Sequence, residues 1–332
     1  GKFVIGQEQG DLNGNISYAF CYEIDNQLRV LPDPEQFYQS GQEGNKANFG
    51  KNVAMSDNHI VVGAPTFEGA ADADGYLAQK GKAYLYEYNL FGAPVSRGPI
   101  EDPSPSATKN FFGSAVAIGN GRIAVATGYD TFGGNSGRVC VFDPYDGSPT
   151  FPYPRTFLYT LTGDGYSSNE NNAFGSGIFS NSLAIGHGRI VVGASYEDND
   201  LGDGEGTRNT GAVYVYDARD GIRLFKLLPP TSVNTGYSVP SSTFGSSSST
   251  YSNTDSFKFG SSVAIGCGKI VVGDTDAHYG GWVHVYDIYG NYERSFNSGK
   301  GGETDNGDRF GCSVAIGGGY IAVGSDYDDD GG

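Results

Sequence analysis

Short apolar runs alternate along this chain with polar, glycine-rich punctuation, and one phrase returns five times. It begins at Phe-Gly, passes through a brief apolar stretch and a tight turn, and ends in a run like Ile-Val-Val-Gly. The copies are NFGKNVAMSDNHIVVGAP (48–65), FFGSAVAIGNGRIAVAT (111–127), FGSGIFSNSLAIGHGRIVVGAS (174–195), FGSSVAIGCGKIVVGD (259–274) and FGCSVAIGGGYIAVGSD (310–326). Residues 1–6 (GKFVIG) are the second half of a further copy. After each complete copy comes a variable, often acidic stretch and then a Tyr/Val run. Those runs are ISYAFCYEID (16–25), KAYLYEYN (82–89), RVCVFD (138–143), AVYVYD (212–217) and WVHVYD (282–287). A weaker apolar stretch follows, such as LRVL (28–31), TFLYTL (156–161) or RLFKLL (223–228).

Each unit therefore predicts four short strands. The turn between the first two is Asp57-Asn58, Asn120-Gly121, His187-Gly188, Cys267-Gly268 or Gly318-Gly319. Asn-Gly and Gly-Gly suit two-residue hairpins because they tolerate positive φ. The first strand sets Val263 and Ile265 against the small Ser262, Ala264 and Gly266, as an inner strand requires where sheets converge. The second and third strands carry bulk on both faces, as expected of strands sandwiched between layers. Four-stranded antiparallel sheets stacked face to face around an axis are propeller blades. The expectation is all-β, a β-propeller of six or seven blades, with about six visible and the end blades incomplete.

The chain reads as one propeller domain, 1–332, with units at about 1–40, 41–105, 106–165, 166–232, 255–300 and 301–332. A Ser/Thr/Gly-rich insertion at about 231–256 reads as an exposed loop, a place where O-glycans attach in secreted proteins. The first unit lacks its first strand and the last lacks its outer two. Either the chain is part of a longer one, or the exposed edges beside 1–6 and 321–324 are paired by the opposite end or by a neighbouring copy.

Composition narrows the classes. Gly (53) and Pro (14) together make one residue in five of 332, too many helix breakers for a bundle. With 23 Tyr and 20 Phe the chain is too aromatic for a disordered one. Lys and Arg number 21 against 38 Asp and Glu, a net charge of −17, which excludes a nucleic-acid partner and disfavours anionic membranes. No apolar run reaches the roughly 20 residues of a membrane helix. Cys21, Cys140, Cys267 and Cys312 are far apart with no CxxC, so neither a zinc site nor a redox motif is expected.

These repeats resemble the FG-GAP repeat, best known from the integrin α-subunit β-propeller. Phe49-Gly50 and Gly63-Ala64-Pro65 match both words, and Phe174-Gly175 with Gly193-Ala194-Ser195 nearly does. Phe112-Gly113, Phe259-Gly260 and Phe310-Gly311 keep the first word alone. The wording also resembles FG-GAP surface and fibre proteins of marine bacteria and of their phages. The resemblance implies an extracellular, cell-surface or virion location and a non-enzymatic adhesion role. It also implies calcium, but the family's D-x-D/N-x-D-G loop lies inside the first hairpin, which here is a two-residue turn in most copies. That site does not transfer onto these positions.

Acid clusters stand instead between the second and third strands. Glu197-Asp198-Asn199-Asp200, then Asp203 and Glu205, give six oxygen-bearing side chains in nine residues, with Gly202, Gly204 and Gly206 between and after them. Asp326, Asp328, Asp329 and Asp330 occupy the corresponding place in the last unit, and Asp72 and Asp74 in the second. Ca²⁺ takes six to eight oxygen ligands on a turning loop. The candidate metal ligands are Asp198, Asp200, Asp203, Glu205, Asp326, Asp328 and Asp330, against the alternative of a solvated acidic loop.

Catalytic motifs are missing: no HExxH, GxSxG or P-loop occurs. His59 and His187 read as turn residues and His284 as packed in a third strand. Asn15-Ile16-Ser17 is a glycosylation sequon at the start of a strand. The functional expectation is a binding or adhesion propeller that takes a protein or glycan through its loops. The alternatives are a structural protomer of a fibre or phage appendage, self-assembled by edge-strand pairing, and a polysaccharide-active enzyme.

Overall fold

The structure is a computed structural model that describes residues 2–7, 18–23, 35–37, 48–56, 58–66, 68–71, 77–88, 94–104, 111–128, 137–144, 156–163, 182–197, 211–230, 258–275, 280–298 and 309–326. All regular structure among them is β. The chain divides into two compact units, Gly1–Thr162 and Gly163–Gly332.

The first unit holds three blades. Blade 1 is β1 (Lys2–Gln7), β2 (Tyr18–Glu23) and β3 (Glu35–Phe37). Blade 2 is β4 (Val53–Ser56), β5 (His59–Ala64), β8 (Lys82–Tyr88) and β9 (Pro94–Ile100), with a separate hairpin of β6 (Glu68–Ala71) and β7 (Leu77–Gln79) between its second and third strands. Blade 3 is β10 (Val116–Gly119), β11 (Arg122–Ala126), β12 (Val139–Asp143) and β13 (Thr156–Leu161).

The second unit holds three more. Blade 4 is β14 (Leu183–Gly186), β15 (Arg189–Ala194), β16 (Ala212–Asp217) and β17 (Arg223–Leu227). Blade 5 is β18 (Phe259–Gly266), β19 (Lys269–Asp274), β20 (Trp282–Asp287) and β21 (Tyr292–Phe296). Blade 6 is the hairpin of β22 (Ser313–Gly317) and β23 (Tyr320–Gly324). Strand order follows chain order and every pairing is antiparallel, as in propeller blades.

The inner hairpins turn as their sequences dictate. Asn120 and Gly121 take φ of 50° and 67°, and the turns at His187, Cys267 and Gly318 repeat the pattern of two positive values. This is the type I′ geometry whose twist matches that of the flanking strands. His59 is not a turn residue: it opens β5, is 6% exposed and faces Glu87 across the ladder. In blade 1 the third strand lies at Glu35–Phe37, while 28–31 falls outside the described residues.

The core lies between blades. Val61, Ala83, Leu85 and Ile100 of blade 2 bury against Phe112, Val116, Ile123, Val125 and Phe142 of blade 3. On the other face of blade 2, Ile60, Val62, Tyr84 and Tyr86 bury against Ala19 and Cys21 of blade 1. Blades 4 and 5 share a third such layer, with Val191, Val213 and Val215 against Val263, Ile270 and Val272. Each fully buried Val, Ile or Phe contributes roughly 1.5–3 kcal/mol, so blades 1, 2 and 3 hold one another, as do blades 4 and 5. The repeated Phe belongs to these layers. Phe49, Phe112 and Phe259 are fully buried and meet Tyr86, Phe142 and Tyr286 of their own third strands edge-on, at 6.4, 6.2 and 6.3 Å.

The repeated glycines are the joints. Gly260 has φ of 89°, and a Cβ there would lie 2.7 Å from the Ala212 carbonyl oxygen and 3.3 Å from Gly193 Cα. The Gly of one copy's Val-Val-Gly thus touches the Gly of the next copy's Phe-Gly, backbone to backbone. Gly273 and Gly311 repeat the contact between blades 5 and 6, and Gly63 and Gly113 between blades 2 and 3. Side chains reinforce it: Ser262 Oγ donates to the Gly311 carbonyl at 2.7 Å, and Asn52 Nδ2 donates to the Ser114 carbonyl.

Candidate functional site

The variable loops leave each blade where the second strand hands over to the third. One third-strand position guards that neck. Tyr84, Cys140, Tyr214 and His284 stand opposite Val62, Val125, Val192 and Val272. On their other side stand fourth-strand Pro99, Thr160, Lys226 and Ser295. In three blades the position is part of a polar cluster, and each cluster has different chemistry.

In blade 4, Glu197 is 4% exposed and turned inward. The Tyr214 hydroxyl lies 2.7 Å from both of its carboxylate oxygens, and the Lys226 ammonium donates to one at 2.5 Å. Lys226 and Arg223 lie over the Tyr214 ring, 5.2 and 5.7 Å from its centre. The Gly211 amide donates to the Glu197 carbonyl at 2.9 Å, which closes the neck of the stretch 198–210. A buried carboxylate is tolerated because a cation and a hydroxyl satisfy it.

In blade 3, Arg138 Nη2 donates to both oxygens of Asp102 at 2.7 and 2.5 Å and to the Ser104 carbonyl at 2.6 Å. Asp102 follows the last strand of blade 2, so this pair ties two blades. Next to it the Cys140 thiol is pushed up, first by burial and then by the Asp102 charge. In blade 5, His284 Nδ1 lies 2.6 Å from Ser295 Oγ, which lies 2.9 Å from the Tyr292 hydroxyl. The other ring nitrogen is 3.8 Å from Asp274.

The opposite ends of the blades carry tight turns. Asp217 accepts from the side chain and backbone of Arg219, which holds its carboxyl down at about 2. In blade 5 the Asp287 carboxyl is also lowered, first by the hydrogen bond from the Asn291 side chain.

Of the candidate metal ligands, Asp326 is described, and its carboxylate accepts from Arg309 Nη1 at 3.0 Å. Asp198, Asp200, Asp203, Glu205, Asp328 and Asp330 lie outside the described residues, as do Asp72, Asp74 and Asn15. Among the described residues no group of three or more His, Cys, Asp or Glu could hold a metal ion. Glu197, counted with the loop acids in the sequence, is engaged by Tyr214 and Lys226.

Sequence reasoning missed Gly211, whose place before the third strand is shared by Gly81 and Gly281. At each, a Cβ would collide with the backbone of the next Phe-Gly phenylalanine: Phe259, Phe112 and Phe310. The signal was a Gly immediately before four of the five Tyr/Val runs, at 81, 137, 211 and 281.

Residues 302–332 match the family model of the FG-GAP repeat. That match covers β22, β23 and the turn between them. No curated protein matches the chain. A solved structure described as "KlHsv2 with loop 6CD replaced by a Gly-Ser linker" aligns with 93% of this chain and 72% of its own, at 8% identity and a TM-score of 0.43. No helix among the described residues is long and apolar enough to cross a membrane.

Proposed function

We propose that this chain, with its FG-GAP repeat and four-stranded blades, is a non-enzymatic binding or adhesion module. It works outside the cell, on a cell or virion surface, and takes a protein or glycan through the loops between second and third strands. The observation that carries this reading is the contrast at the necks. The strands and glycine joints repeat from blade to blade, while the polar pairs near each neck differ: Glu197 with Lys226, Asp102 with Arg138, Asp274 beside His284. A constant scaffold with individually tailored loops is the arrangement recognition uses.

The test is to screen the immobilised chain against a glycan array and intact cells, then to replace 198–210 with a Gly-Ser linker of equal length. Lost binding with unchanged melting supports the reading. Undiminished binding by the replaced chain overturns it for that loop.

Calcium belongs to the same proposal, with Asp198, Asp200, Asp203 and Glu205 as the first ligands to test. Titration calorimetry with Ca²⁺ should give heat that is lost when Asp200 and Asp203 are changed to Asn. No heat and no change of melting temperature on chelation would remove the metal.

A second reading, a fibre protomer joined by edge strands, is favoured by blade 6. Among the described residues β23 pairs with β22 alone. Its Ile321, Ala322 and Val323 are partly or well exposed, whereas the matching residues of β5, β11, β15 and β19 are buried. An open edge recruits another strand. Light scattering distinguishes polymers that survive dilution from a monomer.

A further inference from the structure

Among the described residues, the blade 5 cluster contains a polar atom with no partner. His284 is buried, 6% exposed, and its Nε2 has no hydrogen-bond partner. The Asp274 side chain, 4% exposed, stands 3.8 Å away, too far for a hydrogen bond. Its Oδ1 accepts the Lys258 amide at 3.0 Å, which leaves the second oxygen facing the ring. The matching second-strand positions of blades 2 and 4 hold Ala64 and Ala194, and Tyr84 and Tyr214 stand where His284 does. Blade 5 has thus exchanged an apolar–tyrosine pair for a carboxylate and an imidazole.

We infer that Asp274 and His284 form a proton-operated clamp within blade 5, open when the imidazole is neutral and closed to an ion pair when it is charged. The charged ring has an N–H at both nitrogens. One continues to Ser295 Oγ, and the other gains Asp274 as acceptor when the 3.8 Å gap shortens to about 2.8 Å. The neutral ring has a single N–H; held at Nδ1 by Ser295 Oγ, it leaves Nε2 with a lone pair and no attraction for Asp274. Among the described residues, the groups that could compete are few. From β21, Tyr292 reaches the ring only through Ser295. From β20, Tyr286 directs its hydroxyl to the Leu228 carbonyl. The Lys258 ammonium lies over the Tyr196 ring. Blade 4 presents the apolar Val213, Val215 and Leu227 to this layer. The clamp joins the second, third and fourth strands of the blade, so its closure strengthens the sheet in mildly acidic surroundings and relaxes it in alkaline ones.

The test is a double-mutant cycle on the full chain, with wild type, Asp274→Asn, His284→Gln and the double variant melted at pH 5.5 and pH 8.0. Asn keeps an acceptor for the Lys258 amide, so Asp274→Asn removes the charge and turns the oxygen facing the ring into an amide nitrogen. The expected result is a coupling of about 2–4 °C in melting temperature at pH 5.5 that vanishes at pH 8.0. Equal coupling at both pH values, or none at either, overturns the clamp. If His284→Gln fails to fold, Asp274→Asn alone decides: its penalty must be larger at pH 5.5 than at pH 8.0, and an equal penalty overturns it. A second readout is exchange of the Lys258 amide, which should slow relative to the Ser261 amide at pH 5.5 in the wild type and not in Asp274→Asn. An unchanged ratio contradicts the clamp.

Discussion

Gly193 of blade 4 and Gly260 of blade 5 touch through their backbones, and a Cβ on Gly260 would stand 3.3 Å from Gly193 Cα. The two words of the repeat therefore meet across successive copies as well as bracketing one hairpin. Within a copy, the Gly50 amide donates to the Gly63 carbonyl at 3.0 Å, and Gly311 to Gly324 at the same distance.

Substitution at this joint separates steric from conformational cost. Gly193 lacks a positive φ, so Gly193→Ala acts sterically, driving a methyl group into the Gly260 carbonyl and against Ser182 Cβ. We expect a loss of about 3 kcal/mol or more. Gly188, at φ 71° with open space around it, should lose only about 1–2 kcal/mol as Ala. Urea unfolding of the two variants measures the order, and a Gly188→Ala loss equal to that of Gly193→Ala would contradict it.

The Glu197 cluster gives a graded pair of variants. Tyr214→Phe removes one donor and should cost about 1–3 kcal/mol. Lys226→Met leaves the buried carboxylate without its cation and should cost about 3–5 kcal/mol. Denaturant midpoints of the two variants check the order.

How far these features were legible depended on whether the deciding contact was local. Ile60, Val61 and Val62 announced a strand buried on both faces because all three are apolar in sequence. Asn120-Gly121 announced its turn because φ preference belongs to the residues themselves. Glu197 looked like one more loop acid, since its partner Lys226 is 29 residues away on a fourth strand. Gly211 was one glycine among 53, and only its neighbour Phe259 in the next blade shows why no Cβ fits. His59 follows two polar residues and reads as turn, yet the ladder to Glu87 begins there. The hairpin of β6 and β7 was missed because Glu68–Ala71 and Leu77–Gln79 contain no β-branched or aromatic residue. Most of the loop acids proposed for calcium lie outside the described residues.

Acid titration should reveal Asp217. Its carboxyl is held at about 2, below the unfolded value near 3.9, by Arg219. A depressed carboxyl contributes stability above its unfolded value and loses it as pH falls through the folded one. The melting difference between wild type and Asp217→Asn should stay constant from pH 7 to about pH 5, then shrink toward about pH 2. A difference that persists undiminished at pH 2 would rule out this linkage.

Thiol labelling should sort the four cysteines by position. Cys267 is exposed on its turn, while Cys21 and Cys140 are buried. Iodoacetamide at pH 8 should modify Cys267 first, with Cys21 and Cys140 protected until the chain unfolds. Burial pushes the half-exposed Cys312 thiol up, so it should react more slowly than Cys267. Mass spectrometry of timed digests reads the sequence of modification.

Hydrogen exchange of the native chain tests the central claim most directly, that glycine-jointed blades hold one another through layers shared between neighbours. Amides of β5, β8, β11, β12, β15, β16, β19 and β20 should exchange slowest, together with the Gly113 amide, which donates to the Ala126 carbonyl at 2.9 Å. The turn residues Gly121 and Gly319 should exchange fastest among the described residues. Exchange of β11 and β15 as fast as those turns would contradict the account.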